Sequence, residues 1–255
     1  MSTALSVNLN KIALIRNSRE GTYPDLVEHG KTCLDAGATG ITVHPRPDQR
    51  HIRATDIAPL SVLCRSRNVE FNIEGNPFAA ELADYPGFVA LVEAARPEQV
   101  TLVPDNNDQL TSDHGFNLSI SGDDLKPLIQ HFQELGIRVS LFMDPNIEQI
   151  SLAKAIGADR IEFYTGPYAQ AHKQRSTELE SIFEDYRLAA EHAHNIGLEL
   201  NAGHDLNLNN LSQFLTIPHI AEVSIGHALI VDAIDLGLST AVARYSNICG
   251  NHRTD

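Results

Sequence analysis

One sequence pattern recurs along the chain: an amphipathic segment ends in a small residue and glycine, and a short apolar run and a polar cluster follow. It is clearest at 34–44, 134–142, 155–163 and 195–201. Glycine after a helix adopts the left-handed backbone that ends the helix, and a short β-branched run is typical of a buried strand. Each repeat therefore predicts a helix followed by a strand.

Further apolar runs complete a set of eight predicted strands, which begin near residues 5, 40, 69, 99, 138, 160, 198 and 222. Helical patterns lie between them, and we predict helices over 25–36, 57–64, 78–95, 121–135, 146–156, 177–196, 208–215 and 228–243. Eight such units in 255 residues are typical of a closed (β/α)8 TIM barrel of the α/β class. A doubly wound open sheet is the alternative, but no glycine-rich fingerprint follows the first strand. We therefore expect one (β/α)8 barrel domain over residues 1–255.

The acidic composition narrows the classes of partner. The chain has 33 Asp and Glu against 19 Lys and Arg, a formal net charge of −14, which argues against a general nucleic-acid binder. A phosphorylated small molecule remains compatible, because a pocket can be locally positive. The three cysteines are far apart, no signal-peptide core is evident, and no apolar run approaches the roughly 18 residues of a membrane helix. We expect a soluble cytoplasmic protein without nucleic-acid or membrane partners.

In a TIM barrel the active site lies at the C-terminal ends of the strands, so residues that directly follow the apolar runs converge there. These residues are rich in imidazoles and carboxylates: Asn8, Asn10, Lys11, His44, Arg46, Glu74, Asp105, Asp144, Glu162, Asn201, His204, Gly226 and His227. Solvent-facing loops favour Asp, Asn and Gly, and they do not explain histidines at three of the eight predicted strand ends. We therefore predict a functional site at this end of the barrel.

Two features indicate anion-binding groups at that end. The loop 44–51 holds two arginines and two histidines, and the planar guanidinium of Arg46 fits phosphate oxygens. A solvated basic loop is the alternative. Gly203 and Gly226 lie at the seventh and eighth strand ends, where these barrels often bind phosphate at a helix N-terminus. Each glycine alone is ordinarily a turn, but the two together favour phosphate binding.

Two glutamates are candidates for proton transfer. Glu74 follows an apolar strand, and a carboxylate at the mouth of an apolar barrel is expected to have the raised pKa that acid–base catalysis needs. Glu162 lies between Ile161 and Phe163. A paired structural carboxylate is the alternative for either residue, and we interpret Asp144 as a helix cap.

Metal and Schiff-base chemistry are weaker alternatives. No His-x-His pair follows an early strand, so we predict no metal. Of the five lysines only Lys11 lies just beyond a strand end, and nothing around it marks an activated amine.

The polar connection 105–121 is long for a compact domain and predicts a lid or binding loop.

Ten short motifs occur in the order and spacing of a known family. They are VNLN (7–10), LIRNSR (14–19), GITVHPR (40–46), RHI (50–52), NIE (72–74), LVP (102–104), VSLF (139–142), IE with TG (161–162 and 165–166), NAGH (201–204) and IGHA (225–228). Single motifs are weak, but the ordered set is specific. Over nearly its whole length the chain resembles the pyridoxine 5′-phosphate synthase family.

The resemblance implies a (β/α)8 barrel that assembles as a homo-octamer and uses no metal or organic cofactor. It implies two phosphorylated small-molecule substrates, 3-amino-2-oxopropyl phosphate and 1-deoxy-D-xylulose 5-phosphate, which are joined to give pyridoxine 5′-phosphate, phosphate and water. By resemblance, His44 is a general base, Glu74 a second proton acceptor, His204 a proton donor, and Glu162 the group that stabilises the transition state. Asn8, Arg19, Gly226 and His227 resemble the amino-ketone phosphate site, and Arg46, His51 and Thr111 the pentulose phosphate site.

Three positions depart from the family pattern. Asn10-Lys11 stands where Asp-His is common, which alters the expected pentulose contacts, although Lys11 could meet an anion. The segment 105–107 reads Asp-Asn-Asn where a basic pair often follows Val-Pro, so the charge of the lid differs. Asp205 stands where glycine is usual, and we expect its substrate contact to survive if the backbone N–H makes it.

Two other functions are compatible with these residues. One is a lysine-dependent phosphosugar aldolase of the same barrel class that uses Lys11, which borohydride trapping with substrate would reveal. The other is a non-catalytic binder of a phosphorylated ligand, which would bind both substrates without turnover.

Overall fold

The computed structural model describes residues 2–106 and 108–251. Eight parallel strands follow one another around a closed barrel, and Val7 of the first strand pairs with Ile225 of the last. The strands are β1 (Ala4–Asn8), β2 (Gly40–Val43), β3 (Glu70–Gly75), β4 (Gln99–Leu102), β5 (Arg138–Met143), β6 (Arg160–Tyr164), β7 (Glu199–Gly203) and β8 (Ile220–Ile225). The predicted TIM barrel is confirmed.

Helices fill the connections between the strands. They are α1 (Asn10–Asn17), α2 (Leu26–Asp35), α3 (Ala54–Arg67), α4 (Phe88–Ala95), α5 (Leu118–Glu134), α6 (Ile147–Ala155), α7 (Gly166–Gln174), α8 (Leu179–Asn195), α9 (Leu211–Phe214), α10 (His227–Leu236) and α11 (Leu238–Asn251). Within the two described ranges no helix is long and apolar enough to cross a membrane.

Several predicted helix bounds are wrong for local reasons. The helix predicted over 78–95 is only α4, because Gly87 has φ of 94° and ends a turn-rich segment. The helix predicted over 228–243 is divided at Gly237, whose φ is 78°. α5 begins three residues before the predicted Ser121. The sequence analysis did not predict α1 and α7. α1 follows β1 with no glycine or proline to mark its start. At α7 the Gly166-Pro167 pair resembles a turn, but the proline lies in the first turn of the helix.

Asp144 does not cap α6, contrary to the sequence-based interpretation. The side chain of Asn146 caps this helix by accepting the backbone N–H of Gln149 at 3.1 Å. Asp144 Oδ2 instead accepts the backbone N–H of Gly115 at 3.2 Å. Asp144 therefore fastens the long connection that precedes α5.

The strands alternate between an apolar outer face and a polar interior, as the period of two predicts. Val7, Ile41 and Ile73 are completely buried in the hydrophobic core that packs the strands against the helices. Between them lie buried polar residues that bond across neighbouring strands. Ser6 Oγ lies 2.7 Å from Thr42 Oγ1, and Asn72 continues the chain of bonds.

Charged residues close the N-terminal end of the barrel. Arg138 at the start of β5 pairs with Glu70, and Arg160 at the start of β6 pairs with Glu199. Glu70 and Glu199 also stand at the starts of their strands, so both ion pairs lie at the N-terminal end of the barrel. The three cysteines are buried, and none of them forms a disulfide.

Candidate active site

A cavity opens at the C-terminal ends of the strands, and it is lined by all but one of the residues to which the family resemblance gives a catalytic or substrate-binding role. Those that line it are Asn8, His44, Arg46, His51, Glu74, Thr111, Glu162, His204, Asp205, Gly226 and His227, together with Asn10 and Lys11. They come from six different strand ends and from the long connection after β4. The barrel thus brings together residues that are scattered along the sequence.

His44 directly follows β2 and is buried beside two carboxyl groups. Its Nδ1 lies 3.7 Å from Glu74 Oε2, and its Nε2 lies 3.6 Å from Asp105 Oδ2. Its backbone N–H donates to Asn10 Oδ1 at 2.9 Å, which fixes the start of the loop. Burial, and then the positive charge of Arg46, hold the pKa of His44 well below its usual value. The imidazole is therefore neutral near pH 7 and able to accept a proton.

Glu74 lies near the end of β3 and faces the cavity. Asn8 Nδ2 donates to its Oε2 at 3.3 Å, and Ser224 Oγ donates to its Oε1 at 3.4 Å. Burial raises the pKa of Glu74 to about 8, although the bond from Ser224 opposes this shift. A carboxyl group with such a pKa exchanges protons in both directions near neutral pH.

Glu162 lies in the middle of β6 and points into the mouth of the barrel. Burial, and then the nearby Glu74, raise its pKa well above the usual value. Its Oε2 is buried and has no hydrogen-bond partner within the described part of the chain. On the neighbouring strand, a Cβ at Gly203 would lie only 2.2 Å from Glu162 Oε1. Glycine at this position therefore makes room for the carboxyl group.

Arg46 and His51 form a polar end of the cavity next to His44. Arg46 Nη2 donates to Asp105 Oδ2 at 2.5 Å. His51 Nδ1 accepts the backbone N–H of Ile52 at 2.9 Å, so Nε2 carries the proton of the neutral ring. Burial, and then Arg46, lower the pKa of His51 to about 3. A guanidinium and a neutral imidazole N–H are both donors suited to phosphate oxygens.

His204 follows β7 and contacts the long connection. Its Nε2 lies 2.9 Å from Thr111 Oγ1, and its Nδ1 lies 3.0 Å from Asp205 Oδ2. The rings of Tyr164 and His204 pack edge to face, with 5.1 Å between their centroids. The bond from His204 lowers the pKa of Asp205, which is therefore a carboxylate that orients the imidazole.

Gly226 and His227 form the other polar end. Gly226 lies between β8 and the first residue of α10, where unpaired backbone N–H groups favour anions. A Cβ at Gly226 would lie 3.0 Å from Asn8 Cβ and 3.3 Å from the Asn8 carbonyl oxygen. The glycine therefore lets β1 and β8 approach closely at the cavity.

The lid predicted over 105–121 corresponds to the connection 103–117, because α5 already begins at Leu118. We call this connection the β4–α5 segment, and its residue 107 lies outside the described residues. Its tip is fastened from two sides, because Arg50 Nη1 donates to the Gln109 carbonyl at 2.9 Å and Thr111 contacts His204. Although this segment is polar, Asp105 at its start is buried and paired with Arg46.

Arg19 has a role implied by the resemblance but is exposed in the turn after α1 and does not line the cavity. The cavity is also not lined by four residues predicted at strand ends, which are Asp105, Asp144, Asn201 and Gly203. Conversely, sequence reasoning missed Ser112 and Ser224. The signal for Ser224 was its alternation with Val223 and Ile225, which places a polar side chain on the inner face of β8.

Across residues 2–106 and 108–251, no group of three or more His, Cys, Asp or Glu side chains is arranged to hold a metal ion.

Comparison with known proteins identifies the family. The family model of the pyridoxal phosphate biosynthesis protein PdxJ matches residues 5–251. The chain belongs to this family. A PdxJ relative from Xanthomonas campestris pv. campestris, named pyridoxine 5′-phosphate synthase, is 55% identical over 100% of this chain and 99% of its own length. A relative of the same name from Xylella fastidiosa is 52% identical over 96% of this chain and 94% of its own length.

Solved structures of low sequence identity share the fold alone. Tryptophan synthase from M. tuberculosis superposes with a TM-score of 0.65 at 11% identity, covering 98% of this chain and 94% of that one. A 3-keto-L-gulonate-6-phosphate decarboxylase from Vibrio cholerae superposes with a TM-score of 0.62 at 12% identity, covering 97% and 98%. These matches agree with the TIM barrel of the PdxJ family.

Proposed function

We propose that this chain is a pyridoxine 5′-phosphate synthase that condenses 3-amino-2-oxopropyl phosphate with 1-deoxy-D-xylulose 5-phosphate. The observation that carries the proposal is one cavity in a PdxJ-family chain that holds a neutral imidazole at His44 and a protonated carboxyl at Glu74. Donors suited to phosphate lie at both ends of this cavity. The products are pyridoxine 5′-phosphate, inorganic phosphate and water.

The chemistry requires repeated proton transfers. The amine of the amino ketone adds to the ketone of the pentulose, a C–N bond forms, and the ketone oxygen leaves as water. His44, neutral because of burial and Arg46, is suited to remove the proton that this sequence releases. Glu74, with a pKa of about 8, is suited to deliver a proton and then accept the next one.

His204 and Glu162 complete the proton-handling groups. In this proposal Asp205 accepts the Nδ1–H of His204 and stabilises the imidazolium that forms when Nε2 takes up a proton, so that Nε2–H, which faces Thr111 and the cavity, delivers this proton to the leaving oxygen. Glu162 is protonated because burial and Glu74 raise its pKa. A neutral buried carboxyl donates a hydrogen bond to an oxygen that gains negative charge, which stabilises the transition state.

The two ends of the cavity suit the two phosphates. We assign the pentulose phosphate to Arg46, His51 and Thr111, and the amino-ketone phosphate to Asn8, Gly226 and His227 at the start of α10. Lys11 lines the same cavity and adds positive charge, and the backbone N–H of Asp205 is a further candidate donor. Arg19, which lies outside the cavity, stays a prediction for the amino-ketone phosphate.

The test is turnover with both substrates. Purified protein is expected to release inorganic phosphate and form the pyridine chromophore only when both are present. His44→Gln and Glu74→Gln are expected to lower kcat at least about 100-fold without lowering the free energy of unfolding in urea. His131→Gln, at an exposed histidine on α5, is the matched control. Equal losses of kcat and of stability in the first two variants would indicate structural residues instead.

The second candidate is a Schiff-base aldolase, because Lys11 lines the same cavity. Borohydride reduction in the presence of the pentulose phosphate followed by peptide mass spectrometry decides between the two. A substrate adduct on Lys11 favours the aldolase and contradicts the synthase. Binding of both substrates without turnover favours a non-catalytic binder.

We also infer a homo-octamer in the cytoplasm, without nucleic-acid partners, metal or organic cofactor. Neighbouring helices α1 and α10 support assembly, because they expose the apolar side chains Leu14, Ile15, Val231 and Ile234. Mass photometry at nanomolar and micromolar concentrations tests the assembly. A monomer at every concentration would contradict it.

A further inference from the structure

Asp105 opens the β4–α5 segment and is nearly completely buried, with 4% of its surface exposed. Its Oδ2 accepts hydrogen bonds from Arg46 Nη2 at 2.5 Å and from Ser112 Oγ at 2.8 Å. The same oxygen lies 3.6 Å from His44 Nε2. One carboxylate oxygen therefore faces the candidate base, a candidate phosphate-binding residue and the far side of the β4–α5 segment.

The position of Asp105 is fixed independently of the segment tip. Asn76, which follows β3, donates from Nδ2 to the Asp105 carbonyl at 2.7 Å. The second carboxylate oxygen, Oδ1, is buried and has no hydrogen-bond partner among the residues that the structure describes. A buried carboxylate with spare acceptor capacity is costly unless a nearby cation or donor compensates it, and Arg46 supplies this compensation.

We propose that Asp105 is a positioning residue that orients His44 and Arg46 and couples them to the β4–α5 segment; this inference rests on the proposed synthase function. The pair with Asp105 holds the Arg46 guanidinium in one orientation, so that its other N–H groups face the cavity. Ser112 brings the segment against the same carboxylate. The segment therefore closes against a preorganised base and guanidinium.

The charges around His44 explain why a carboxylate is needed there. Arg46 and Arg50 lie on its own loop and disfavour the imidazolium, His51 beside them is neutral, and Glu74 on β3 is mostly protonated near neutral pH. Asp105, which follows β4, contributes the negative charge that offsets these two arginines when His44 takes a proton. Without it, His44 is a weaker base.

Asp105→Asn tests the proposal, because the amide keeps the size of the side chain and removes its charge. We expect kcat to fall about tenfold or more, and the acid limb of the kcat/KM profile to move to lower pH. Asp108→Asn is the matched control, because Asp108 is an exposed carboxylate of the same segment. It is expected to leave kcat and the acid limb unchanged.

Ser112→Ala separates the segment contact from the charge. We expect the pentulose phosphate KM to rise about two- to tenfold, the value of one hydrogen bond, with the acid limb unmoved. This variant keeps the proposal testable if Asp105→Asn does not fold. If Asp105→Asn folds and has the same kcat and the same acid limb as Asp108→Asn, Asp105 does not position His44. If Ser112→Ala leaves the KM for the pentulose phosphate unchanged, Asp105 does not couple these residues to the β4–α5 segment. An inactive wild-type protein would instead refute the proposed function itself.

Discussion

Gly203→Ala is a sharp test of how the cavity places Glu162. A Cβ at this position would lie 2.2 Å from Glu162 Oε1 and 3.2 Å from the Ser224 carbonyl oxygen. Ordinary van der Waals contact begins at 3.4 Å, so the carboxyl group must retreat by about 1.2 Å, the difference between these distances. The Ser224 carbonyl belongs to β8 and cannot retreat with it. Gly203 does not have positive φ, so alanine adds no backbone strain.

The size of the effect follows from this displacement. Overpacking a buried site costs about 1–3 kcal/mol, so the free energy of unfolding is expected to fall by that amount. Misplacing a reacting group by roughly 1 Å lowers turnover about 100-fold. The loss of kcat, about 3 kcal/mol in activation free energy, should therefore equal or exceed the loss of stability.

The assay is steady-state turnover with both substrates beside urea unfolding of the same preparations. Gly122→Ala is the matched control: its Cβ would meet Ile156 Cγ2 at an ordinary 3.6 Å, and helix propensity predicts a gain of up to about 1 kcal/mol. Adding Glu162→Asp to Gly203→Ala shortens the displaced side chain and should restore part of the stability. Wild-type kcat and stability in Gly203→Ala would refute the geometry.

Three further predictions concern charged groups. Glu74, with a pKa raised to about 8 from 4.5, binds its proton more tightly when folded, so stability should fall by about 1.4 kcal/mol per pH unit between these values. Urea unfolding should show that Glu74→Gln removes this slope, and equal slopes would contradict the raised pKa. Arg46→Ala should raise the KM for the pentulose phosphate at least about tenfold, and an equal change for the amino ketone would contradict its assignment. Arg16→Ala should cost about 3–5 kcal/mol in urea unfolding, because it breaks a buried 2.6 Å ion pair with Asp56, whereas Arg67→Ala, at an exposed ion pair, should cost under about 1 kcal/mol.

The fold could be predicted because each repeat carries its own boundary signals. Gly37, Gly136, Gly157 and Gly197 all have positive φ just after a helix and before a strand. These local signals are independent of the rest of the chain. The helix predicted over 78–95 was too long because an apolar composition alone does not distinguish a helix from a turn-rich surface segment.

The candidate site was predictable to the extent that strand ends define it. His44, Glu74 and Glu162 lie in or just after strands, so their convergence follows from barrel closure. The roles of Asp105 and Ser112 depend instead on how the β4–α5 segment folds back over the cavity. Sequence order places these two residues seven positions apart and gives no sign that Ser112 donates to Asp105 Oδ2.

The opposite pKa shifts of His44 and Glu74 have a common cause and a common consequence. Burial removes the charge from both groups, leaving a neutral base and a neutral acid whose atoms lie 3.7 Å apart. A proton can then be taken up at one group and released from the other without a permanent buried charge, whose desolvation would be costly. A ring-forming reaction with several successive proton transfers needs such a pair to return to its starting state after each one. The burial that the closed barrel imposes on these groups therefore contributes to the chemistry as directly as the side chains that line its mouth.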